Sequence, residues 1–301
     1  MTETEDLRQR LRRKPIVIAP GVYDPLTAMI AEKAGFTSLY VTGGGIAYTR
    51  LGRPDIGLVS VSEVVDTLAL IRDRVAADLI VDADTGYGNA LNVQRTVRSF
   101  ERAGATAIQL EDQAFPKRCG HLEDKAIVSS SEMIGKIHAA VDARRSEQTL
   151  IVARTDAVAV EGLAAALERA ACYRDAGADM LFIEAPTAKE QLAQVTAAVG
   201  GSIPLMVNLV EGGKTPNLPA NELEELGFSL AIFPGGIVRA LARTAVDYYA
   251  SLASHRSTEP FRARMYNFAE INELLGTPEM LERGQRYAPE RDAAPSKKGR
   301  T

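Results

Sequence analysis

Two short segments hold side chains whose types and spacing could do chemistry. The first is Asp82-Ala83-Asp84, at the end of the apolar run Leu79–Asp84. In a strand the period of two points both carboxylates to one side. Glu111 closes the next such run, Ala107–Asp112, so three carboxylates can converge. Anions that close repel one another, and a hard divalent cation relieves the repulsion. Oxygen ligands with no nearby His cluster favour magnesium or manganese over zinc. Alone, Asp-x-Asp is a weak motif, because Arg or Lys neutralises such a pair equally well.

The second segment is Lys117-Arg118-Cys119-Gly120-His121. A thiol beside two permanent cations and an imidazole is expected to ionise more easily than a free one. Gly120 leaves the backbone free to bend, which suits a mobile loop over a site. A basic surface turn with an incidental cysteine fits the same spacing. Cys172 lies in the Ala-rich stretch Ala164–Ala176 and reads as core packing. His138 and His255 fall in helical patterns and read as surface residues. Thr42-Gly43-Gly44-Gly45 could present backbone N–H groups to an anion. Asp84-Thr85-Gly86-Tyr87-Gly88 lacks the rest of a dinucleotide fingerprint. Gly212-Gly213-Lys214-Thr215 lacks the first glycine of a phosphate loop, so both nucleotide readings fail.

These groups need elements to position them. Eight near-continuous apolar runs alternate with amphipathic stretches: Ile16–Pro20, Ser38–Gly43, Leu79–Asp84, Ala107–Asp112, Leu150–Asp156, Met180–Ala185, Leu205–Leu209 and Ser229–Pro234. Such runs suit parallel strands buried on both faces, and eight is the count of a (β/α)8 barrel. An open doubly wound sheet would also alternate. Gly35, Gly104, Gly177 and Gly227 each sit just before a strand, where a left-handed cap ends a helix. Polar residues gather at the ends of the runs: Asp82 and Asp84, Glu111 and Asp112, Arg154 and Asp156, Glu184, then Asn208 and Glu211. A barrel collects those ends on one face, where its active sites lie.

The chain divides by pattern into a charged helix or arm over 1–14, a barrel over 15–288 that includes extra C-terminal helices, and a polar tail over 289–301 expected to be disordered. The charge balance, 35 basic against 39 acidic residues, leaves no basic footprint for nucleic acid. Two cysteines cannot build a disulfide framework or a thiolate zinc cage. No apolar run reaches the roughly 18 residues of a membrane span. Met1–Lys14 has no apolar signal core, and the cytoplasm is the expected location.

Taken together, Pro20-Gly21-Val22-Tyr23-Asp24, Val81 to Gly88, Ile108-Gln109-Leu110-Glu111-Asp112-Gln113, Lys117 to His121 and Ala153-Arg154-Thr155-Asp156-Ala157 resemble the isocitrate lyase / phosphoenolpyruvate mutase superfamily. The likeness covers about residues 15–288. It implies a magnesium-dependent (β/α)8 barrel, usually a homotetramer that swaps its eighth helix between subunits. By the same likeness Asp82 and Asp84 would hold magnesium (manganese may substitute), with Glu111 and Asp55 acting through waters. Thr42, Gly43 and Gly44 would bind a substrate carboxylate. Arg154, helped by Glu184 and Asn208, would hold the oxygen that becomes a keto group, with Lys117, Gly120 and His121 alongside. Arg239 and Arg264 would meet a second carboxylate. Cys119 would be the acid that protonates a carbanion, a role suited to a thiol with a pKa near neutrality, and Tyr40 and a metal-bound water are the candidate bases. The lyase branch cleaves 2-hydroxy-dicarboxylates of the methylisocitrate or 2-alkylmalate type. Phosphonate mutases and hydrolases, oxaloacetate decarboxylases and hydrolases, and a non-catalytic barrel are the alternatives. The intact cysteine motif argues against the phosphonate enzymes and the decarboxylases, and Pro234, where oxaloacetate hydrolases tend to carry Ser, argues against the hydrolases.

Overall fold

The computed structural model describes residues 5–287. Eight parallel strands close into a barrel in sequence order: β1 (Val17–Val22), β2 (Ser38–Val41), β3 (Asp78–Asp82), β4 (Ala107–Glu111), β5 (Leu150–Thr155), β6 (Met180–Ile183), β7 (Leu205–Asn208) and β8 (Leu230–Phe233). β1 closes on β8 with Val17 opposite Leu230. All eight predicted runs are strands, and the four predicted glycine caps all have positive φ. An open sheet is therefore excluded.

The period of two sorts each strand into an inner and an outer face. Along β5, Leu150 and Val152 join the interior cluster, whereas Ile151 and Ala153 pack outward against the helices. Continuing the inner face puts Arg154 at the C-terminal mouth. The same count runs Ile80 to Asp82, Ala107 through Gln109 to Glu111, Met180 through Phe182 to Glu184, and Met206 to Asn208. Apolar layers at one end thus give way to a polar layer at the other. The outer core lies between strands and helices such as Ala90–Arg102, Ser130–Ala143 and Leu163–Asp175.

The N-terminal arm does more than its charge suggests. A short helix, Leu7–Arg10, begins at Asp6, whose carboxylate accepts the N–H of Gln9. Leu7 and Leu11 are buried in the barrel interior with Val17, Leu150 and Leu230. They plug its N-terminal end.

The described residues form two compact units, one up to Ala240 and one from Leu241. Helix Gly236–His255 runs from the first unit into the second. The second also holds a 3-10 turn, Glu259–Arg264, and helices Phe268–Leu275 and Thr277–Gln285. The expected tail 289–301 lies outside the described residues, as do residues 1–4 of the arm. Among the described residues no helix is long and apolar enough to cross a membrane.

Candidate active site

The polar layer floors a cavity of about 140 Å3 at the C-terminal mouth. Its walls include Tyr40, Thr42, Asp82, Cys119, Arg154 and Glu184, with Phe182, Val210 and Pro234 as an apolar side. A larger hollow, about 500 Å3, lies at the opposite end beside Arg12, Arg13 and Lys14.

β3 ends at Asp82, so Asp84 is not on the strand, contrary to expectation. It lies in a turn with φ +46°, its N–H bonded to Asp82 Oδ1 at 3.1 Å. The two carboxylates still converge, but through the turn. Lys136, buried on helix Ser130–Ala143, donates to the carbonyl of Thr85 and steadies that turn. Asp55 arrives from the loop after β2.

Lys117 Nζ donates to Asp55 Oδ1 at 2.5 Å and stands 2.7 Å from Asp84 Oδ1. Burial alone would lower its pKa; Asp84 and Asp55 outweigh that and hold the ammonium charged. Asp84 itself is pushed up to about 7, first by burial and then by Asp82 and Asp55 against the pull of Lys117. Glu111 turns to Arg154, with Oε2 3.1 Å from Nη1. Burial raises its pKa well above the usual range in spite of that cation.

Among the described residues no three acidic, His or Cys side chains stand together as a ready metal cage. The donor chemistry nonetheless fits magnesium, which keeps several waters and needs only one or two carboxylates from the protein. A Cβ on Gly43 would lie 3.3 Å from Asp82 Oδ2 and 3.6 Å from Asp84 Oδ1, and one on Gly44 3.3 Å from Asp55 Oδ2. The two glycines leave space in front of three carboxylates. Glu111 Oε1 is buried with no donor, as are Glu184 Oε1 and Asn208 Oδ1. Such oxygens are expected to find a partner.

Arg154 is clamped by Asp156: Nε donates to Oδ2 at 2.9 Å and Nη2 to Oδ1 at 3.1 Å. Asp156 is fixed in turn through its N–H to Asp112 Oδ1. Arg154 lies over the Phe182 ring and 3.6 Å from Glu184 Oε2. Asn208 Nδ2 donates to that same oxygen at 3.1 Å. Ala185, next to Glu184, has φ +59°, a conformation non-glycine residues rarely adopt. Thr42 caps the turn that starts at Gly43, accepting from the N–H of Gly45.

The Lys117–His121 segment covers this floor. A Cβ on Gly120 would come within 2.6 Å of Arg154 Nη2 and 2.7 Å of Glu184 Cγ, so only glycine allows the approach. His121 Nδ1 accepts the N–H of Lys214 at 3.0 Å and so carries no proton there. Burial lowers its pKa, with Glu184 opposing.

Three expectations are corrected. Burial pushes the Cys119 thiol up, although the His121 N–H pulls the other way. The two expected cations do not act on it: Lys117 is taken by Asp55 and Asp84, and Arg118 is exposed and turned toward Asp124. Tyr40 lines the cavity, but its hydroxyl donates to Gln109 Oε1 at 3.0 Å. Burial, then Asp82, hold the phenol protonated, which disfavours it as a base. Cys172 is exposed, because helix Leu163–Asp175 buries a different stripe: Ala166, Arg169, Ala170 and Tyr173.

His138 and His255 are exposed, as predicted. Arg239 reaches the cavity wall and is paired with Glu211. Arg264 belongs to the C-terminal unit, where it pairs with Asp247 at 3.3 Å and stacks on Phe261. Gln109 and Phe182 went unmarked as site residues, although the period of two reaches both. Lys125, fully buried beside Asp156, gave no signal at all.

This barrel and this site define the class: the chain belongs to the phosphoenolpyruvate phosphomutase family, which it matches over residues 7–253. Among its relatives is the 2,3-dimethylmalate lyase of Eubacterium barkeri, 41% identical across 96% of this chain and 99% of that one. Another is the 2-methylisocitrate lyase of Aeropyrum pernix, 43% identical across 90% of this chain and 86% of that one. A crystal structure of phosphonopyruvate hydrolase in complex with oxalate and Mg++ superposes with a TM-score of 0.84 at 30% identity, over 93% of this chain and 97% of that one.

Proposed function

We propose that the protein is a magnesium-dependent carbon–carbon lyase. Its substrate would be a 2-hydroxy-dicarboxylate of the 2-alkylmalate or methylisocitrate type, cleaved to pyruvate and a second carboxylate such as propionate or succinate. The observation that carries this reading is a half-buried thiol, Cys119, held protonated on a loop pressed against Arg154. A thiol in that state is a proton donor rather than a nucleophile. The relatives that cleave dimethylmalate and methylisocitrate support the same chemistry.

The residues divide the work as follows. The N–H groups of Gly43 and Gly44, with the Thr42 hydroxyl, bind the carboxylate next to the reacting carbon; the Thr42 N–H is taken by the carbonyl of Val22. Arg154 holds the 2-oxygen and stabilises it as the carbonyl forms. The hydroxyl proton leaves to a base; Glu111 Oε1, buried and without a donor, serves only once that carboxyl is ionised, which the Arg154 guanidinium favours and burial opposes. The C2–C3 bond breaks, C2 becomes the carbonyl of pyruvate, and the electron pair stays on C3. Cys119 delivers its proton to C3. Magnesium, held by Asp82 and Asp84 with Asp55 and Glu111 around its waters, would supply Lewis-acid charge stabilisation. Arg239, on the cavity wall, is the cation for the distal carboxylate.

We also place the enzyme in the cytoplasm as a homotetramer with a swapped late helix. Helix Phe268–Leu275 buries none of its residues in the isolated chain, and Phe268 is 86% exposed. A second copy of the chain would cover that surface.

The test is pyruvate release from 2-alkylmalates, methylisocitrate, isocitrate and oxaloacetate, with magnesium and again with excess EDTA. A 2-alkylmalate or methylisocitrate should be cleaved, and EDTA should abolish the activity until magnesium or manganese is restored. Cleavage of phosphonopyruvate, with none of any malate, would move the protein to the phosphonate branch of the family.

A further inference from the structure

From Leu122 to Ala126 the chain is exposed at every position except one, and that one is a lysine. The side chain of Lys125 is 1% exposed. Its Nζ donates to the carbonyl of Gly120 at 2.5 Å and to Asp156 Oδ1 at 2.7 Å. The preceding residue, Asp124, has φ +53°, a turn that swings the lysine inward. An ammonium is taken out of water only where its partners replace the lost hydration. Here the partners are the backbone of the cysteine loop and the carboxylate that clamps Arg154.

We infer that Lys125 is a positioning residue, a latch that ties the Cys119 loop to the Arg154–Asp156 pair. Asp156 Oδ1 accepts from both Lys125 and Arg154 Nη2, so one oxygen joins the loop anchor to the substrate-binding guanidinium. The latch draws Gly120 so close to Arg154 that no Cβ fits between them. Cys119, one residue earlier, then faces the same cavity as Arg154. Without Lys125 the carbonyl of Gly120 loses its donor and Asp156 loses one of its two cations. Lys117 with Asp55 and Asp84, Gln113 with Arg118, Cys119 N–H with Asp55 O, and His121 with Lys214 and Glu184 still hold the loop, but none of them touches Asp156.

The test uses the full chain carrying Cys172→Ser, which removes the exposed second thiol. Alkylation of Cys119 by iodoacetamide is timed with Lys125 intact and in Lys125→Met, well below both melting temperatures. The Lys125→Met thiol should react about tenfold faster or more, because local opening governs access. On the best substrate kcat should fall by about 10–100-fold with KM changed less than about threefold, since misplacing a reacting group costs the transition state most. Only this second measurement rests on the lyase reading. If no malate is cleaved by either protein, alkylation still decides the latch. If Lys125→Met fails to fold, Lys125→Ala is used with added propylammonium, which should slow alkylation again. An alkylation rate within twofold of the parent, or no response of Lys125→Ala to propylammonium, overturns the latch.

Discussion

At the N-terminal end of the barrel, Leu7 and Leu11 fill the interior, and several nearby charges tie one segment to another. Arg10 bonds Asp78, Thr37 and Ser38, and Asp179 takes Arg8, Arg144 and the N–H of Ile151. At the C-terminal end the interior is Asp82, Glu111, Arg154 and Glu184, all buried, and buried oxygens there remain without donors. Ala185 and Asp84 hold backbone conformations that cost energy, and both adjoin site carboxylates. The strands are the same at both ends. What differs is how many buried polar atoms lack a hydrogen-bond partner: only Arg10 Nε at the N-terminal end among the described residues, against Asp84 Oδ1, Glu111 Oε1, Glu184 Oε1 and Asn208 Oδ1 at the C-terminal mouth. A barrel can carry an unsatisfied end because its other end and its outer core supply the stability.

The sharpest way to test that division is to change one atom at the active end. Cys119→Ser replaces the thiol by a hydroxyl, a far weaker acid. Turnover should drop by about 10²–10⁴-fold, the usual worth of general acid catalysis. KM should move much less, because Arg154 and the carboxylates are untouched, and the melting temperature should stay within a few degrees. Cys172→Ser, on an exposed helix face, should alter neither. Near-normal turnover in Cys119→Ser would remove the thiol from the acid role.

The opposite end should respond in the opposite way. Leu7→Ala leaves a hole among Val17, Leu150 and Leu230, at a typical cost of about 2–4 kcal/mol. Denaturant unfolding should show that loss, while kcat and KM stay within about twofold. A large fall in kcat with unchanged stability would mean that the plug reaches the chemistry, and the contrast between the ends would fail.

Much of this was legible in the residues. The strand runs and the inner-face count reach Asp82, Glu111, Arg154, Glu184 and Asn208, because parallel strands repeat with a fixed period. The Leu7 and Leu11 plug was hidden by the charged residues around it, although their spacing of four marks one helix face. Misreadings came where tertiary context overrides neighbours in the chain. The charges flanking Cys119 are spent elsewhere, so adjacency misjudged its ionisation. Cys172 lies on an Ala-rich helix whose buried stripe includes an arginine, which composition cannot reveal. Lys125 could not be found because its partners, Gly120 and Asp156, meet it only through the folded loop.

The smallest effect concerns Asp84 and links the two ends through stability. Its pKa is raised from 3.8 to about 7, chiefly by burial. In the unfolded chain the carboxyl ionises near 3.8, so between that pH and about 7 the folded state holds a proton that the unfolded state has lost. Stability therefore falls as pH rises through this window on account of this group. The magnesium proposed for this site would need the ionised form, and below about pH 7 it would have to expel the proton to bind. Each pH unit below 7 should then weaken binding by up to about tenfold, or about 1.4 kcal/mol. The rise in melting temperature at a fixed magnesium concentration should be small at pH 6, grow through pH 7 and level off above pH 8. Asp84→Asn should flatten that dependence, since nothing remains to titrate there. Leu7→Ala should lower the melting temperature at every pH but leave the rise on adding magnesium unchanged, because the plug is at the far end. Equal magnesium stabilisation at pH 6 and pH 8.5 in the parent protein would show that Asp84 does not face the metal.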